Sequence, residues 1–133
     1  MHGIHLTADL HGCPAGLAAM DDPQALRQVC LQAVRAAGLR PVGELFHRFP
    51  GPGGVTGAVL LAESHLAVHT WPEHGTVTID VFVCNFLQDN SARAELLLQE
   101  LLMHFGAAQV LRQRLTRAGP AAPPPGDPLH LRA

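Results

Sequence analysis

The sequence predicts an α+β fold, a two-layer α/β sandwich in which an antiparallel or mixed sheet carries two helices on one face. Three observations support this prediction. Several segments alternate apolar and polar residues, as half-buried strands do. Two other segments repeat apolar residues at helical spacing, and glycine and proline separate the segments. A chain of 133 residues can build one hydrophobic core. Residues 1–117 are therefore expected to form one domain.

The first half of the chain is expected to contain three strands and one helix. Ile4, Leu6 and Ala8 alternate with polar neighbours, which predicts a strand that ends near residue 9. Residues 22–37 repeat apolar side chains at helical spacing, with a proline in the first turn, and predict a helix. Two further strands are predicted on either side of the loop PGPGG, at residues 39–49 and 55–62.

The second half is expected to add two or three strands and one helix. Residues 76–83 alternate regularly and predict a strand, and the middle of ESHLAVHTWPEHG (residues 63–75) is a further candidate. Ser91 is expected to cap a helix that reaches about residue 105, and residues 107–115 are expected to form the last strand. The proline-rich residues 118–133 are expected to be a disordered tail.

The basic residues exclude several functions. All 9 are arginines, and the chain has no lysine. A pyridoxal Schiff base, a P-loop and a lysine nucleophile are therefore impossible. The net charge is −2, and the arginines are scattered, so a nucleic-acid partner is not expected.

Membrane insertion and a disulfide framework are not expected either. No segment reaches the ~20 apolar residues of a membrane span, and the N-terminus does not resemble a signal peptide. Cys13, Cys30 and Cys84 are odd in number and lack CxxC spacing. These features argue against a structural zinc site and predict a reducing cytoplasm as the compartment.

Histidines concentrate in one short segment. His65, His69 and His74 lie within ten residues, beside Glu63 and Glu73, and could form a metal cluster. No zinc motif of known spacing contains them, so the sequence predicts no metal site. A metal-binding dimeric module remains an alternative.

Two nucleophiles are also candidates for catalysis. Ser64 with His69 as its base would make a hydrolase pair, but the GxSxG nucleophile elbow is absent. Cys84 with a histidine could make a thiol enzyme. A single cysteine after an apolar strand is more often a core residue.

Four short motifs together suggest a family. They are FHRF (residues 46–49), GVTG (54–57), AESHLAVHTWPE (62–73) and IDVFVC (79–84). In these motifs, and more weakly in its first strand, the chain resembles the bacterial and archaeal S-adenosylmethionine decarboxylases, which are pyruvoyl enzymes. The resemblance spans roughly the first 110 residues.

The resemblance implies that the chain is made as a proenzyme that cuts itself between Glu63 and Ser64. The Ser64 hydroxyl would attack the Glu63 carbonyl and turn the amide into an ester. Elimination and loss of ammonia would then leave a pyruvoyl group at the new N-terminus, as the covalent cofactor. Residues 1–63 would become the β chain and residues 64–133 the α chain.

The resemblance also implies roles for three further residues. His69 matches the histidine of the elimination step, and Thr56 stands where a serine is usual and would polarise the ester. The substrate amine would form a Schiff base with the pyruvoyl carbonyl, and Cys84 matches the proton donor that follows loss of CO₂. The product would supply aminopropyl groups for spermidine biosynthesis. Family members are homodimers of αβ units, with active sites near the interface.

Substrate recognition is expected from side chains around the same motifs. Phe49 and Trp71 could stack on adenine or face the sulfonium of S-adenosylmethionine, and Glu73 could contact the ribose. The family usually has threonine before the catalytic cysteine and glycine after it, whereas this chain has Val83 and Asn85. A pyruvoyl decarboxylase of arginine or ornithine, with a carboxylate such as that of Asp9 on the substrate cation, therefore remains an alternative.

Overall fold

The computed structural model describes residues 2–118. The elements in chain order are β1 (His2–His11), α1 (Pro23–Ala36), β2 (Pro41–Arg48), β3 (Val55–Leu61), β4 (Ser64–Trp71), β5 (Thr76–Cys84), α2 (Ser91–Phe105) and β6 (Gln109–Ala118). Short 3₁₀ turns lie at Ala18–Met20 and Pro72–His74. Every predicted helix and strand is present, including the candidate strand in the histidine-rich segment.

The strands form one sheet in the order β2-β3-β4-β5-β1-β6, and every neighbouring pair is antiparallel. Helix α1 contacts β2 and β3, helix α2 contacts β5 and β1, and the helices contact each other. The predicted α+β sandwich with two helices on one face is therefore confirmed. Of the two sheet types allowed by the sequence, the described strands form the antiparallel one.

The core lies between the helices and the alternate strand residues that face them. Most of these strand residues are apolar, and Leu6, Val59, Val68 and Ile79, for example, are at most 1% exposed. The helices contribute Leu26, Val34, Leu97 and Leu101, which are fully buried. Strand residues spaced two positions apart and helix residues spaced about 3.6 positions apart therefore face each other in one apolar layer.

The two helices begin differently. Asp22 caps α1, because its Oδ1 accepts a hydrogen bond of 3.0 Å from the Gln24 N–H. The prediction that Ser91 caps α2 is wrong, since the N-cap residue is Asn90 and Ser91 is the first helical residue. The Ser91 hydroxyl instead accepts a hydrogen bond of 3.0 Å from Asn85 Nδ2.

Strand β6 is longer than predicted. It pairs with β1 from Gln109 to Ala118, and all its residues are exposed. Ala118, the first residue of the predicted tail, is opposite His2 in this ladder, so the strand pairing extends one residue into the tail. Residue 1 and the rest of the tail, residues 119–133, lie outside the described residues.

No helix within residues 2–118 covers the opposite side of the sheet, called here the open face. One row of directly opposed residues crosses it from β3 to β6: Leu60, His65, Phe82, His5 and Leu115. Leu45, Leu60 and Leu115 on this face are 76%, 55% and 50% exposed. The open face thus combines exposed leucines with histidines.

In the described part of the chain, the helices are too short or too polar to cross a membrane.

One buried hydroxyl joins β4 to its surroundings. Thr70 is 4% exposed, and its Oγ1 accepts a hydrogen bond of 2.8 Å from the Val55 N–H. The same hydroxyl donates to the carbonyl of Met20, at 2.6 Å. Thr70 therefore satisfies two backbone groups on either side of the strand that carries the histidines.

We expect Thr70→Val to lower the free energy of unfolding by about 2 to 4 kcal/mol, because two buried backbone groups lose their partner. Thr70→Ser is the matched control, since it keeps the hydroxyl and loses one methyl group, worth about 1 kcal/mol. Urea unfolding at a fixed protein concentration compares the two variants. A valine variant as stable as the serine variant would contradict this role of the hydroxyl.

Candidate active site

The turn between β3 and β4 contains a strained residue. Leu61 and Ser64 are opposite each other, so Ala62 and Glu63 alone form the turn. Glu63 has φ 56°, and it is the only non-glycine residue with a positive φ in the described chain. A side chain in this left-handed region costs roughly 1 kcal/mol or more. The strain lies directly before the Glu63–Ser64 peptide bond, the predicted cleavage site.

Ser64 lies next to Cys84. Cys84 is the last residue of β5, and its backbone N–H donates a hydrogen bond of 3.1 Å to Ser64 Oγ. Glu63, Cys84, Phe82 and Phe86 line a pocket of about 280 Å³. The structure thus brings together three predicted site residues, Glu63, Ser64 and Cys84, which we call the cleavage cluster.

A second group of predicted residues lies at the other end of β4. Thr56 and His69 are opposite each other, and a hydrogen bond of 3.0 Å joins Thr56 Oγ1 and His69 Nδ1. The rings of His69 and Trp71 are 6.1 Å apart. Both residues line a pocket of about 370 Å³ together with Thr56 and Phe49. We call these four residues the histidine cluster.

The two clusters are far apart within one chain. Ser64 and His69 are separated by five residues of extended strand, which corresponds to about 17 Å. His69 therefore cannot act on the Glu63–Ser64 bond of its own chain. The same distance excludes the hydrolase pair in which Ser64 and His69 of one chain work together.

Two further predicted residues lie nearer to the histidine cluster. Asp9 is opposite Thr78, which is opposite His69, so Asp9 is exposed on the open face about 10 Å from His69. Glu73 lies in the 3₁₀ turn Pro72–His74 directly after β4, and its Oε1 is 4.0 Å from His74 Nε2. Neither carboxylate belongs to the cleavage cluster.

The histidine-rich segment does not assemble a metal site in residues 2–118. Extended strand keeps His65 and His69 about 13 Å apart along β4, and His74 follows in the next turn. Within that range, no three histidine, cysteine, aspartate or glutamate side chains come close enough to hold an ion. The described structure therefore gives the metal-binding alternative no ligand set.

The three cysteines differ in their surroundings. All three are free. Cys30 is fully buried in α1, and burial raises the pKa of its thiol to about 12. Burial also raises the pKa of Cys13. Cys84, in contrast, lines the pocket beside Glu63.

Iodoacetamide at mildly alkaline pH is therefore expected to alkylate Cys84 well before Cys30. A thiol with a raised pKa carries almost no reactive thiolate at such a pH, and Cys30 has no exposed surface. Peptide mass mapping over time measures both rates, and urea-unfolded protein serves as the control in which all three react. Equal rates in the folded protein would contradict the assignment of Cys30 to the core.

Sequence analysis missed two residues that contact the cleavage cluster. Asn90 Nδ2 donates a hydrogen bond of 2.9 Å to the Cys84 carbonyl, and Asn85 Oδ1 accepts one of 2.7 Å from the Asn90 N–H. From the sequence, Asn85 is only a departure from the family pattern, and no role is predicted for Asn90. The available signal was an asparagine directly before the predicted helix start, the position that N-cap residues prefer.

Comparison with known proteins agrees with this fold. A sequence profile described as S-adenosylmethionine decarboxylase matches residues 4–118. The crystal structure of the adenosylmethionine decarboxylase from Aquifex aeolicus superposes with a TM-score of 0.79 at 30% identity, covering 92% of this chain and 95% of that one.

Named relatives support the same conclusion. S-adenosylmethionine decarboxylase proenzymes from Prochlorococcus marinus and Acidithiobacillus ferrooxidans are 40% and 39% identical, over 92% and 86% of this chain and 92% and 81% of theirs. Those from a Hydrogenobaculum species and from Aquifex aeolicus are each 44% identical over 82 residues. These 82 residues are 62% of this chain and only 59% and 58% of those two relatives, less than two thirds of their length.

The six-stranded antiparallel sheet with two helices on one face, together with these matches, defines the family of the chain. It belongs to the S-adenosylmethionine decarboxylase family.

Proposed function

We propose that this chain is a pyruvoyl-dependent decarboxylase of S-adenosylmethionine, made as a proenzyme that cuts itself between Glu63 and Ser64. Its product would supply aminopropyl groups for spermidine. The observation that carries the proposal is the left-handed Glu63 directly before a serine whose oxygen is held by the Cys84 N–H. These residues fit the formation of a pyruvoyl group, because strain and a positioned hydroxyl favour the same bond rearrangement.

The first step moves the Glu63 acyl group from nitrogen to oxygen. Ser64 Oγ forms a bond to the Glu63 carbonyl carbon, the C–N bond breaks, and the nitrogen takes the hydroxyl proton. An ester replaces the amide, and Glu63 loses the constraint that holds it at φ 56°. Release of this strain favours a step that is unfavourable in a relaxed peptide.

The second step releases the β chain. A base removes the Cα proton of residue 64, the Cβ–Oγ bond breaks, and Oγ leaves as part of the new Glu63 carboxylate. Negative charge grows on the oxygen that already accepts the Cys84 N–H, and hydrogen bonds to charged oxygens are the stronger ones. Water then replaces the nitrogen, which leaves as ammonia, and a ketone remains on the α chain.

A second copy of the chain supplies the base in this proposal. His69 of the same chain is about 17 Å away along β4. A two-fold axis through the open face would bring the histidine cluster of one copy onto the cleavage cluster of the other. The exposed leucines of the open face support such a homodimer of αβ units. In the tautomer in which His69 Nδ1–H donates to Thr56 Oγ1, the lone pair of Nε2 is the one that takes the proton.

Turnover uses the same two clusters. A pyruvoyl ketone at this position would supply the carbonyl that takes up the substrate amine and the electron pair released by loss of CO₂. Cys84 lines the adjoining pocket, so its thiol can return a proton to the substrate carbon. The Glu63 carboxylate stays beside the same pocket, where it can attract the cationic substrate.

The histidine cluster also suits recognition of the adenosyl group. Phe49 and Trp71 give its pocket two aromatic walls, which can stack on adenine or face a sulfonium. Glu73, two residues after Trp71, offers a carboxylate to the ribose. The names of the relatives favour S-adenosylmethionine over arginine or ornithine. We place the enzyme in the cytoplasm, where its three free cysteines stay reduced.

Purified wild-type protein is expected to separate on a denaturing gel into fragments 1–63 and 64–133, and Ser64→Ala is expected to stay whole. Glu63→Gly should slow cleavage by about three- to tenfold, because glycine adopts a positive φ without the roughly 1 kcal/mol of strain. Glu63→Gln is the matched control, since it keeps the Cβ and therefore the strain. Wild-type protein that remains one band would overturn the proposed function.

An active site formed by residues of two copies of the chain can be tested by mixing variants. Co-expression of Ser64→Ala and His69→Ala chains should yield cleaved His69→Ala chains, because the Ser64→Ala partner supplies the missing histidine. His69→Ala expressed alone, or with the double variant, should remain whole. Differently tagged chains on a denaturing gel identify which one is cut. Absence of cleavage in the mixed dimer, with wild-type protein cleaved normally, would contradict a histidine supplied by the second copy.

A further inference from the structure

Both sides of the Cys84 backbone are held by side chains from other elements. The Cys84 N–H donates to Ser64 Oγ at the start of β4, at 3.1 Å. Its carbonyl accepts a hydrogen bond of 2.9 Å from Asn90 Nδ2, directly before α2. The Asn85 N–H continues the ladder to β1 with a hydrogen bond of 2.6 Å to the His2 carbonyl, and the bond from Asn90 fixes the last residue of β5 from the side of α2.

Asn90 does not perform the usual task of its position. It is the N-cap residue of α2, yet its side chain accepts no capping hydrogen bond from a backbone N–H of the first turn. An asparagine that caps a helix typically contributes ~1 kcal/mol. Here the amide nitrogen donates to Cys84, and the amide oxygen accepts a hydrogen bond of 3.0 Å from Arg93 Nη1.

Asn85 fixes Asn90 in turn. Its Oδ1 accepts from the Asn90 N–H at 2.7 Å, and its Nδ2 donates to Ser91 Oγ at 3.0 Å. Between the two asparagines the chain makes little contact with the protein, since Phe86 and Leu87 are 68% and 89% exposed. The position of this loop therefore depends on the polar contacts at its two ends. We call Asn85 and Asn90 the asparagine clamp.

We propose that Asn90, held by Asn85, is a positioning residue for the reaction, and that it acts through Cys84. This inference rests on the proposed function, in which Cys84 holds Ser64 Oγ during cleavage and donates a proton during turnover. Loss of the bond from Asn90 would leave the end of β5 held on its β1 side, by the Asn85 N–H at 2.6 Å from the His2 carbonyl, and would loosen it on the α2 side. The Cys84 N–H would then move away from Ser64 Oγ, and the thiol would move within the pocket beside Glu63.

Substitutions at Asn90 separate positioning from helix capping. Asn90→Asp and Asn90→Ser both place a good N-cap residue before α2, and aspartate can still pair with Arg93. Neither can replace the amide that donates to the Cys84 carbonyl, because a carboxylate has no donor and the serine side chain is shorter. Asn90→Ala removes the side-chain hydrogen bonds to both the Cys84 carbonyl and Arg93. The first two variants should therefore unfold at urea concentrations close to that of wild type.

We expect cleavage of Asn90→Asp and Asn90→Ser to be about 10- to 100-fold slower than that of wild type, the effect of a misplacement of about 1 Å. Once mature, both should lose kcat for S-adenosylmethionine while KM stays within about twofold, because Phe49, Trp71 and Glu73 are unchanged. Leu87→Ala, in the same loop, is the control expected to behave as wild type.

Three results would overturn the inference. They are cleavage of both variants within twofold of wild type, a rise in KM with unchanged kcat, and slow cleavage that only accompanies the loss of unfolding free energy seen in Asn90→Ala. The last result would assign Asn90 to helix stability. Wild-type protein in the same gel separates this outcome from failure of the proposed function, because an uncut wild type contradicts the decarboxylase assignment itself.

Discussion

The two-residue turn between β3 and β4 is the constraint on which the site depends. It fixes Leu61 opposite Ser64, and through that register it places Thr56 opposite His69. A shift of one residue would turn every side chain of β4 to the other face of the sheet and would remove both the Thr56–His69 hydrogen bond and the contact of Ser64 with Cys84. The same tight turn holds Glu63 at φ 56°. One short connection thus sets the geometry of both clusters and the strain in the cleavage bond.

The register also explains why a single chain holds two half-sites. An extended strand carries residues five positions apart to points about 17 Å from each other, so the serine and the histidine on β4 cannot meet within one copy. In the proposed function, a second copy on the open face would solve this geometric problem and would cover the exposed leucines at the same time. In this proposal, self-cleavage therefore requires dimer formation. The absence of lysine gives a chemical reason for self-cleavage. An enzyme that handles an amine without pyridoxal needs a carbonyl from its own chain.

Much of the fold could be predicted because its signals are local. The alternation in residues 76–83 and the helical spacing in residues 22–37 are read directly from neighbouring residues, and the structure contains both elements. The motif around Ser64 predicted the family, which the comparisons show. The separation of Ser64 from His69 was not recognised, because a motif gives residue types and not the path of the chain. The asparagine clamp was also missed, since its bonds depend on where β5 ends relative to α2.

In the proposed function, the Glu63–Ser64 bond rearranges to leave a ketone on residue 64. An intact-mass spectrum of the purified α chain detects this ketone. We expect a fragment of residues 64–133 that is lighter, by one ammonia, than the product of simple peptide hydrolysis, and whose N-terminus is blocked to amine reagents. A fragment with the full mass of a serine N-terminus and a free amine would contradict it, because cleavage would then be ordinary proteolysis.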